Sequence, residues 1–354
     1  MNGVVRSALA VALLICTAVA CSGDEPARPT ASPAAAVSAL PSPGATTSPG
    51  SPPAVTLEEA SEAFDAFLDT DTVLRQAGAG RWALLLTQDA QRPITIAEIH
   101  SRAGKPARYT WDRRTVLVPR QSGSTVWFAA TARRRDASGD VRTAVFTFVR
   151  QGRDGRWRNS FASLLYPDEQ PPQVALDADG YATALDQRDS SVAISPNLMG
   201  PLHATVAEEG PKGYASGLIA PGPQTTGFYE EISRTKETAK AEDCMNYESI
   251  FASAPNYPTF ALRTEDGGAM MLYTLIRTSS WTPNPQGLKC GEGRPVAIPA
   301  AARWLLNPVK DLFIRQRRQI VETQQYVSAV PPKASTAPAH VVGYEGIVTG
   351  GSNT

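Results

Sequence analysis

Hydrophobic positions after residue 55 first recur at the spacing of an α-helix. The apolar side chains lie three or four residues apart: Ala60, Phe64, Phe67 and Leu68. This period predicts a helix over residues 56–71. Thr56 and Glu59 form a capping-box pattern, in which the hydroxyl and the carboxylate each bind a free amide of the first turn. A second, shorter helix is predicted over residues 94–101.

The pattern then changes to short runs of β-branched and aromatic residues. The runs are residues 125–131, 143–149 and 157–165, and an earlier short strand is predicted to begin at Val118. Turns rich in Gly and Asp separate them, which is typical of an antiparallel meander. Residues 56–167 are therefore predicted to form a first α+β domain.

The second half repeats this order of helices and strands. Helices are predicted over residues 196–209 and 228–244. Strands are predicted at residues 259–263, 270–277, 318–327 and 340–348. An Asp-Gly pair between the first two of these strands indicates a hairpin. Residues 196–354 are predicted to form a second α+β domain, and the Pro-containing residues 168–195 are predicted to join the two.

Two successive sets of helices followed by antiparallel strands define an α+β fold class with two domains. The order of elements is similar to that of the NTF2-like and cystatin-like architectures, in which a curved sheet wraps around helices as a cone. A two-layer α+β fold of another kind is the alternative.

The first 21 residues have the pattern of an export signal. Arg6 precedes the mostly apolar run 8–20, which is shorter than the roughly 20 residues that a membrane-spanning helix needs. Small residues, Ala18 and Ala20, lie just before Cys21. This arrangement resembles the lipobox of bacterial lipoproteins, although Ala18 stands where that motif usually has leucine. The resemblance implies that Cys21 is lipidated and becomes the mature N-terminus; an ordinary cleaved signal is the alternative.

Composition predicts a linker and gives no support to a nucleic-acid partner. Residues 22–55 are rich in Pro, Ala, Ser and Thr and lack aromatic residues, which predicts a disordered linker that holds the folded region off the membrane. Lys plus Arg number 34, and Asp plus Glu also number 34, so the formal net charge is zero. This balance gives no support to nucleic-acid binding, which favours a basic face.

The chain has four cysteines, and the two outside the signal region predict a disulfide. Cys16 leaves with the signal and Cys21 is the predicted lipid site. Cys244 and Cys290 remain as an even pair in an exported protein, where the environment is oxidising. Two separate buried thiols are the alternative.

Motifs for metal and cofactor chemistry are missing from the sequence. The three histidines, His100, His203 and His340, stand in no zinc-binding pattern, and each is predicted to be a surface or half-buried polar residue. The acidic turn 177–180 lacks the further ligands of an EF-hand loop. No cofactor, metal site or catalytic residue is therefore predicted, and the protein is not expected to be an enzyme.

Three groups of residues could indicate a catalytic or binding site, but each has a simpler structural interpretation. Ser233 and Lys236 fit the Ser-x-x-Lys spacing of penicillin-interacting enzymes, but the accompanying Ser-x-Asn and Lys-Thr-Gly elements do not follow, so a solvated helix face is favoured. The basic run 133–135 is interpreted as a solvated turn, with a contact to anionic wall polymer or phospholipid as the alternative. Five aromatic residues are favoured as core, with a pocket in the first sheet as the alternative: Trp127, Phe146, Phe148, Trp157 and Phe161.

The signal, the linker and the segment 171–183 together resemble a family of actinobacterial lipoproteins with a domain of unknown function. This resemblance implies surface exposure and transfers no functional residue except Cys21. The sequence thus predicts a protein anchored by lipid to the extracytoplasmic face of the cell membrane, with a binding or scaffolding role. Its expected partner is a cell-envelope protein or wall polymer. A small-molecule-binding or enzymatic NTF2-like domain with a pocket is the alternative, which a polar-lined cavity would favour.

Overall fold

The computed structural model describes residues 53–102, 106–121, 125–152, 154–284 and 295–354. The predicted signal, Cys21, Cys290 and nearly all of the predicted linker lie outside these described residues. By their contacts, residues 51–354 form one compact unit. The division of this unit into two domains joined by residues 168–195 stays a prediction.

The N-terminal half of the unit contains two α-helices and a four-stranded antiparallel sheet, in the order predicted. The elements are α1 (Leu57–Gln76), a 3-10 helix (Gly80–Leu85), α2 (Gln91–Ser101), β1 (Tyr109–Leu117), β2 (Thr125–Asp136), β3 (Val141–Gln151) and β4 (Arg158–Leu164). The strands of this first sheet pair in the order β1-β2-β3-β4. The prediction of a strand beginning at Val118 is wrong, because Val118 follows the last residue of β1.

The C-terminal half also contains helices followed by an antiparallel sheet. The elements are α3 (Pro196–Glu209), a 3-10 helix (Gly210–Lys212), α4 (Thr226–Thr238), a π-helix (Ala239–Asp243), β5 (Met245–Ser253), β6 (Phe260–Arg263), β7 (Ala269–Pro283), a 3-10 helix (Ala300–Ala302), β8 (Arg318–Val330) and β9 (His340–Asn353). This second sheet has the order β5-β7-β8-β9, and β6 also pairs with β7 as the predicted hairpin. The α+β class with two sheets is confirmed, whereas the NTF2-like or cystatin-like cone stays a prediction.

Helix α1 begins where its sequence predicts, but one half of the capping box is wrong. The Thr56 hydroxyl accepts a hydrogen bond from the Glu59 amide at 3.1 Å, as predicted. The Glu59 carboxylate instead accepts from the guanidinium of Arg150 and from the indole N–H of Trp157. Glu59 thereby fastens the start of α1 to the first sheet rather than to its own first turn.

The sheets and helices form layers whose order follows from alternating side chains. Phe64 and Phe67 of α1 contact the rings of Phe146 and Phe148 at 5.0–6.1 Å, so α1 covers one face of the first sheet. The opposite face of this sheet packs against the second sheet, with Phe161 in the shared core. Helices α3 and α4 cover the outer face of the second sheet.

This alternation also separates the five aromatic residues that the sequence offered as a pocket. Phe146, Phe148 and Trp157 lie on the α1 side of the first sheet, while Trp127 and Phe161 lie on the side of the second sheet. The five therefore do not line one pocket. They belong to two hydrophobic cores, which agrees with the favoured interpretation.

Cys244 lies directly after the π-helix in a left-handed conformation with φ of 56°, and it leads into β5. Its predicted partner, Cys290, lies outside the described residues, so the disulfide stays a prediction. The loop that it would close includes the whole of the β6–β7 hairpin.

Reduction of the predicted disulfide is expected to lower the free energy of unfolding by about 4 kcal/mol, because it frees a loop of roughly 46 residues in the unfolded chain. Urea unfolding with and without a reductant measures this loss. The double variant Cys244→Ala/Cys290→Ala is the control and should show no further loss on adding the reductant. Equal midpoints for the natural chain in both conditions would contradict the pairing.

Candidate functional site

A cleft opens between α1, the 3-10 helix Gly80–Leu85, α2 and the first sheet, with one contribution from β9. Its inner part has a cavity volume of about 90 Å³ and its outer part a volume of about 390 Å³. The two parts are adjacent, and five residues line both of them: Asp71, Arg75, Ala83, Thr95 and Glu98. The inner part is thus large enough for one small polar group, and the outer part for the bulk of a small ligand.

Backbone pairing with β4 fixes the segment that forms one wall of the cleft. The amide of Asn159 donates to the carbonyl of Leu86 at 2.8 Å, and the amide of Gln88 donates to the carbonyl of Asn159 at 2.9 Å. The Ser160 hydroxyl adds a hydrogen bond of 2.6 Å to the carboxylate of Asp89, just before α2. The start of α2 is therefore held over the first sheet, and Gln91 is directed toward the inner part.

An arginine and two carboxylates lie at the junction of the inner and outer parts. Arg75 donates to Asp71 at 2.6 Å, one turn earlier in α1, and lies 3.7 Å from the Glu98 carboxylate of α2. Burial alone would lower the pKa of the Arg75 guanidinium, but the charges of Asp71 and Glu98 raise that pKa above its usual value. The guanidinium also lies 5.1 Å from the ring centre of Tyr109.

Two buried polar atoms in the inner part have no hydrogen-bond partner among the residues that the structure describes. They are Oε1 of Gln91, an acceptor, and Nε1 of Trp111, a donor. The side-chain amide of Gln91 does donate to Thr95, at 3.5 Å, so only its oxygen is left. Leaving such a buried group unsatisfied costs about 1–3 kcal/mol. Each atom would therefore be stabilised by a ligand or a water molecule in the cleft.

Glu345 reaches the same inner part from β9 of the second sheet. Its half-buried carboxylate has no hydrogen bond or ion pair to any residue in the described ranges. Burial is the main cause that raises the pKa of Glu345, and the nearby Glu98 carboxylate raises it further. Three arginines oppose this shift: Arg134, Arg142 and Arg102.

The outer part has mainly apolar walls and opens to solvent beside an exposed tryptophan. Its apolar residues include Leu74, Ile99 and Pro106. The Trp82 side chain is 52% exposed at this opening, and the Arg81 guanidinium lies 5.5 Å from its ring. An apolar group could therefore bind here while a polar group enters the inner part.

The histidines were only partly predicted. The His100 ring stacks on Trp304 at 5.7 Å, and His340 is exposed. His203 is fully buried, so the prediction of a surface or half-buried residue is wrong there. Its ring nitrogens pair with the Tyr273 hydroxyl at 2.8 Å and the Gln224 carbonyl at 2.7 Å, and burial lowers the pKa of His203 to about 4. Its neutral ring thus belongs to the core beneath α3.

The side chains of the other polar motifs contact residues of the same chain. The Ser233 hydroxyl donates to the Tyr229 carbonyl at 2.9 Å on α4, which agrees with a solvated helix face. The basic run 133–135 lies within β2, so its interpretation as a solvated turn is wrong. Arg133 binds Asp112 at 2.7 Å and Arg134 lies over the Tyr109 ring at 4.3 Å.

The acidic turn 177–180 also contacts a residue of the same chain. Its two carboxylates, Asp177 and Asp179, each accept from Arg120 at 2.5 Å. Among the described residues, no group of three or more His, Cys, Asp or Glu could hold a metal ion. None of the helices in those ranges has the length and apolar character needed to cross a membrane.

The cleft residues Gln91, Trp111 and Glu345 were not predicted from the sequence. One signal was available: Glu345 is a carboxylate within the mostly apolar segment 341–348. A charged residue in such a strand indicates either an exposed face or a site.

The fold and cleft define an α+β protein with two antiparallel sheets and a ligand-sized cleft beneath its first helices. A family model described as a domain of unknown function (DUF8094) matches residues 51–353. The chain belongs to this family of actinobacterial lipoproteins, and the resemblance inferred from its signal and linker is confirmed. No solved structure matches the chain.

Three relatives are named as uncharacterized lipoproteins. One from Streptomyces coelicolor (SCO2278) is 26% identical over 244 residues, which is 66% of this chain and 69% of the relative. Another from the same organism (SCO6871) is 26% identical over 329 residues, covering 86% and 84% of the two chains. A third, from Streptomyces avermitilis, is 27% identical over 157 residues, 44% of each chain.

Proposed function

We propose that this protein is a lipid-anchored binding protein of the extracytoplasmic face, and that it holds a small molecule in the cleft between α1 and α2. The names of its relatives support the anchor. The cleft supports the small-molecule alternative over a purely scaffolding role, because its polar groups converge on a cavity rather than on a filled core.

The observation that carries this proposal is the pair of unpartnered polar atoms at the inner end of the cleft, Gln91 Oε1 and Trp111 Nε1. Protein interiors rarely retain such atoms unless water or a ligand binds them. Here both lie beyond an apolar-walled outer part, so a molecule with an apolar body and a polar end matches the cleft.

The proposed anchor places the cleft outside the cell at an adjustable distance from the membrane. Lipidation of Cys21 would tether the chain, and residues 22–55 would reach roughly 100 Å if fully extended as polyproline II. A binding protein on such a tether can meet a ligand in the envelope or pass it to a partner there.

Replacing Ala83 by phenylalanine is expected to abolish binding of a small probe, because Ala83 lines the junction of the inner and outer parts. Saturation-transfer NMR with millimolar 2-phenylethanol measures this. Ala137→Phe, in an exposed turn, is the matched control and should bind the probe as the natural chain does. The proposal is wrong if the natural chain gives no signal, or if Ala83→Phe gives an undiminished one.

A further inference from the structure

Charged side chains of both signs line the inner part. Three carboxylates line it, those of Asp71, Glu98 and Glu345, against the two guanidinium groups of Arg75 and Arg134. Arg75 binds Asp71 directly and is the nearer of the two arginines to Glu98. This leaves Glu345 without a paired cation in the described residues.

The one remaining arginine of the inner part is positioned on an aromatic ring rather than on a carboxylate. The Arg134 guanidinium lies 4.3 Å from the ring centre of Tyr109, and no ion pair joins it to Glu345 within the described ranges. The other arginines that act on Glu345 through their charge are Arg102, which bonds to Tyr109, and Arg142, which donates to the Leu165 carbonyl. Each of these guanidinium groups contacts a neutral group, and within the described residues none of them forms an ion pair with Glu345.

The second, independent observation is the orphaned oxygen of Gln91, whose residue is only 8% exposed. This oxygen and the Glu345 carboxylate are both hydrogen-bond acceptors that lack donors, and both line the inner part. The Trp111 ring lines the same space, and an aromatic face attracts a cation by about 0.5–2 kcal/mol.

We propose that the ligand of this cleft is a small organic ammonium compound, whose N–H groups bind the Glu345 carboxylate and Gln91 Oε1 while its apolar body occupies the outer part. This inference rests on the proposed function and adds the chemical class of the ligand. An oxygen on the same molecule would accept from the Trp111 indole N–H.

Other ligand charges fit less well. A carboxylate or phosphate would enter beside Glu98 and Glu345, where like charges repel it. A neutral alcohol can donate to Gln91, but it leaves the Glu345 carboxylate without a cation. An ammonium group can donate a hydrogen bond to the Gln91 oxygen and can also pair with the Glu345 carboxylate. Hydrogen bonds that involve a charged group are stronger than those between neutral groups.

Three probes of the same shape test this inference: 2-phenylethylamine, 2-phenylethanol and phenylacetate, titrated into the full-length lipidated protein at pH 7 by ligand-observed NMR. The amine is expected to bind about 10-fold more tightly than the alcohol, a difference of one ion-assisted hydrogen bond, and phenylacetate more weakly than both. Glu345→Gln is expected to remove the preference for the amine over the alcohol.

Glu248→Gln is the matched control, since this carboxylate is exposed on β5 and lines neither the inner nor the outer part of the cleft. Glu248→Gln should bind the amine more tightly than the alcohol by the same factor as the natural chain. A urea-unfolding midpoint of Glu345→Gln close to that of the natural chain shows that the variant is folded. Equal binding of amine and alcohol to the natural chain, or a preference that survives in Glu345→Gln, overturns the ammonium class and leaves small-molecule binding intact. Failure of all three probes overturns both proposals.

Discussion

Replacing Cys21 by serine is expected to abolish acylation of this protein and with it the stable membrane anchor. The thiol of Cys21 is the only group to which the signal pattern directs the lipid, and a serine hydroxyl cannot replace it in a thioether. Each buried methylene of an acyl chain contributes about 0.8 kcal/mol, and two chains are needed for stable anchoring. The effect should therefore be all-or-none: no incorporation of labelled fatty acid in cells that express the variant.

Cys16→Ser is the matched control for this experiment. Cys16 lies inside the apolar run, so its replacement leaves the residues around the predicted cleavage site unchanged. It should retain labelling and the same mature mass, measured by mass spectrometry of the N-terminal peptide. Labelled fatty acid on Cys21→Ser, or an unmodified Cys21 in the natural mature chain, would contradict the lipoprotein assignment.

The sequence predicted long, strongly patterned elements well and charged strands poorly. Helix α3 spans the predicted residues 196–209, since its proline start and apolar period are local signals. Strand β1 was misplaced because Asp112, Arg113 and Arg114 occupy its centre. As the edge strand of the first sheet, β1 can carry these charges in solvent, and edge strands commonly do so to avoid pairing with other chains.

Strand β5 was missed for a related reason. Its buried residues alternate with exposed ones such as Asn246 and Glu248, so its composition indicates a polar segment while its period indicates a strand. No proline or glycine separates β5 from the predicted helix 228–244, so the sequence did not indicate where the helix ends and the strand begins. The change of period at Met245 was the available signal.

The cleft depends on contacts that no local pattern contains. Gln91 comes from α2, Trp111 from β1 and Glu345 from the last strand of the second sheet. Helical or strand periodicity indicates which side of an element faces inward, but not which elements meet. A polar residue on an inward side is a signal only after its partners are known to be missing, and that requires the packed structure.

Arg277 is a buried charge that links the second sheet to α4. Its guanidinium donates to Ser249 at 2.9 Å and to Glu231 at 2.8 Å, and it lies 3.7 Å from Glu322. Phe228 contacts the same group at 5.0 Å from its ring centre. Burial alone would lower the pKa of Arg277, but the hydrogen bond to Glu231 and the nearby carboxylate charges raise it above its usual value.

Arg277→Ala is expected to lower the free energy of unfolding by about 3–5 kcal/mol at pH 7, because it removes a buried guanidinium and leaves the half-buried Glu322 without a cation. Burial already raises the pKa of Glu322, and loss of Arg277 would raise it further, so the folded state of the variant prefers the protonated carboxyl. The part of the deficit that comes from Glu322 should then be small below pH 4.5, the ordinary value for glutamate, grow as the pH rises from there to the higher folded-state pKa of Glu322, and stay constant above it. Urea unfolding at pH 4 and pH 7 measures this difference.

Arg188→Ala, an exposed control, should stay within about 0.5 kcal/mol of the natural chain. The double variant Arg277→Met/Glu322→Gln should recover some of the loss, and a deficit independent of pH would show that packing rather than the unpaired carboxylate sets the cost.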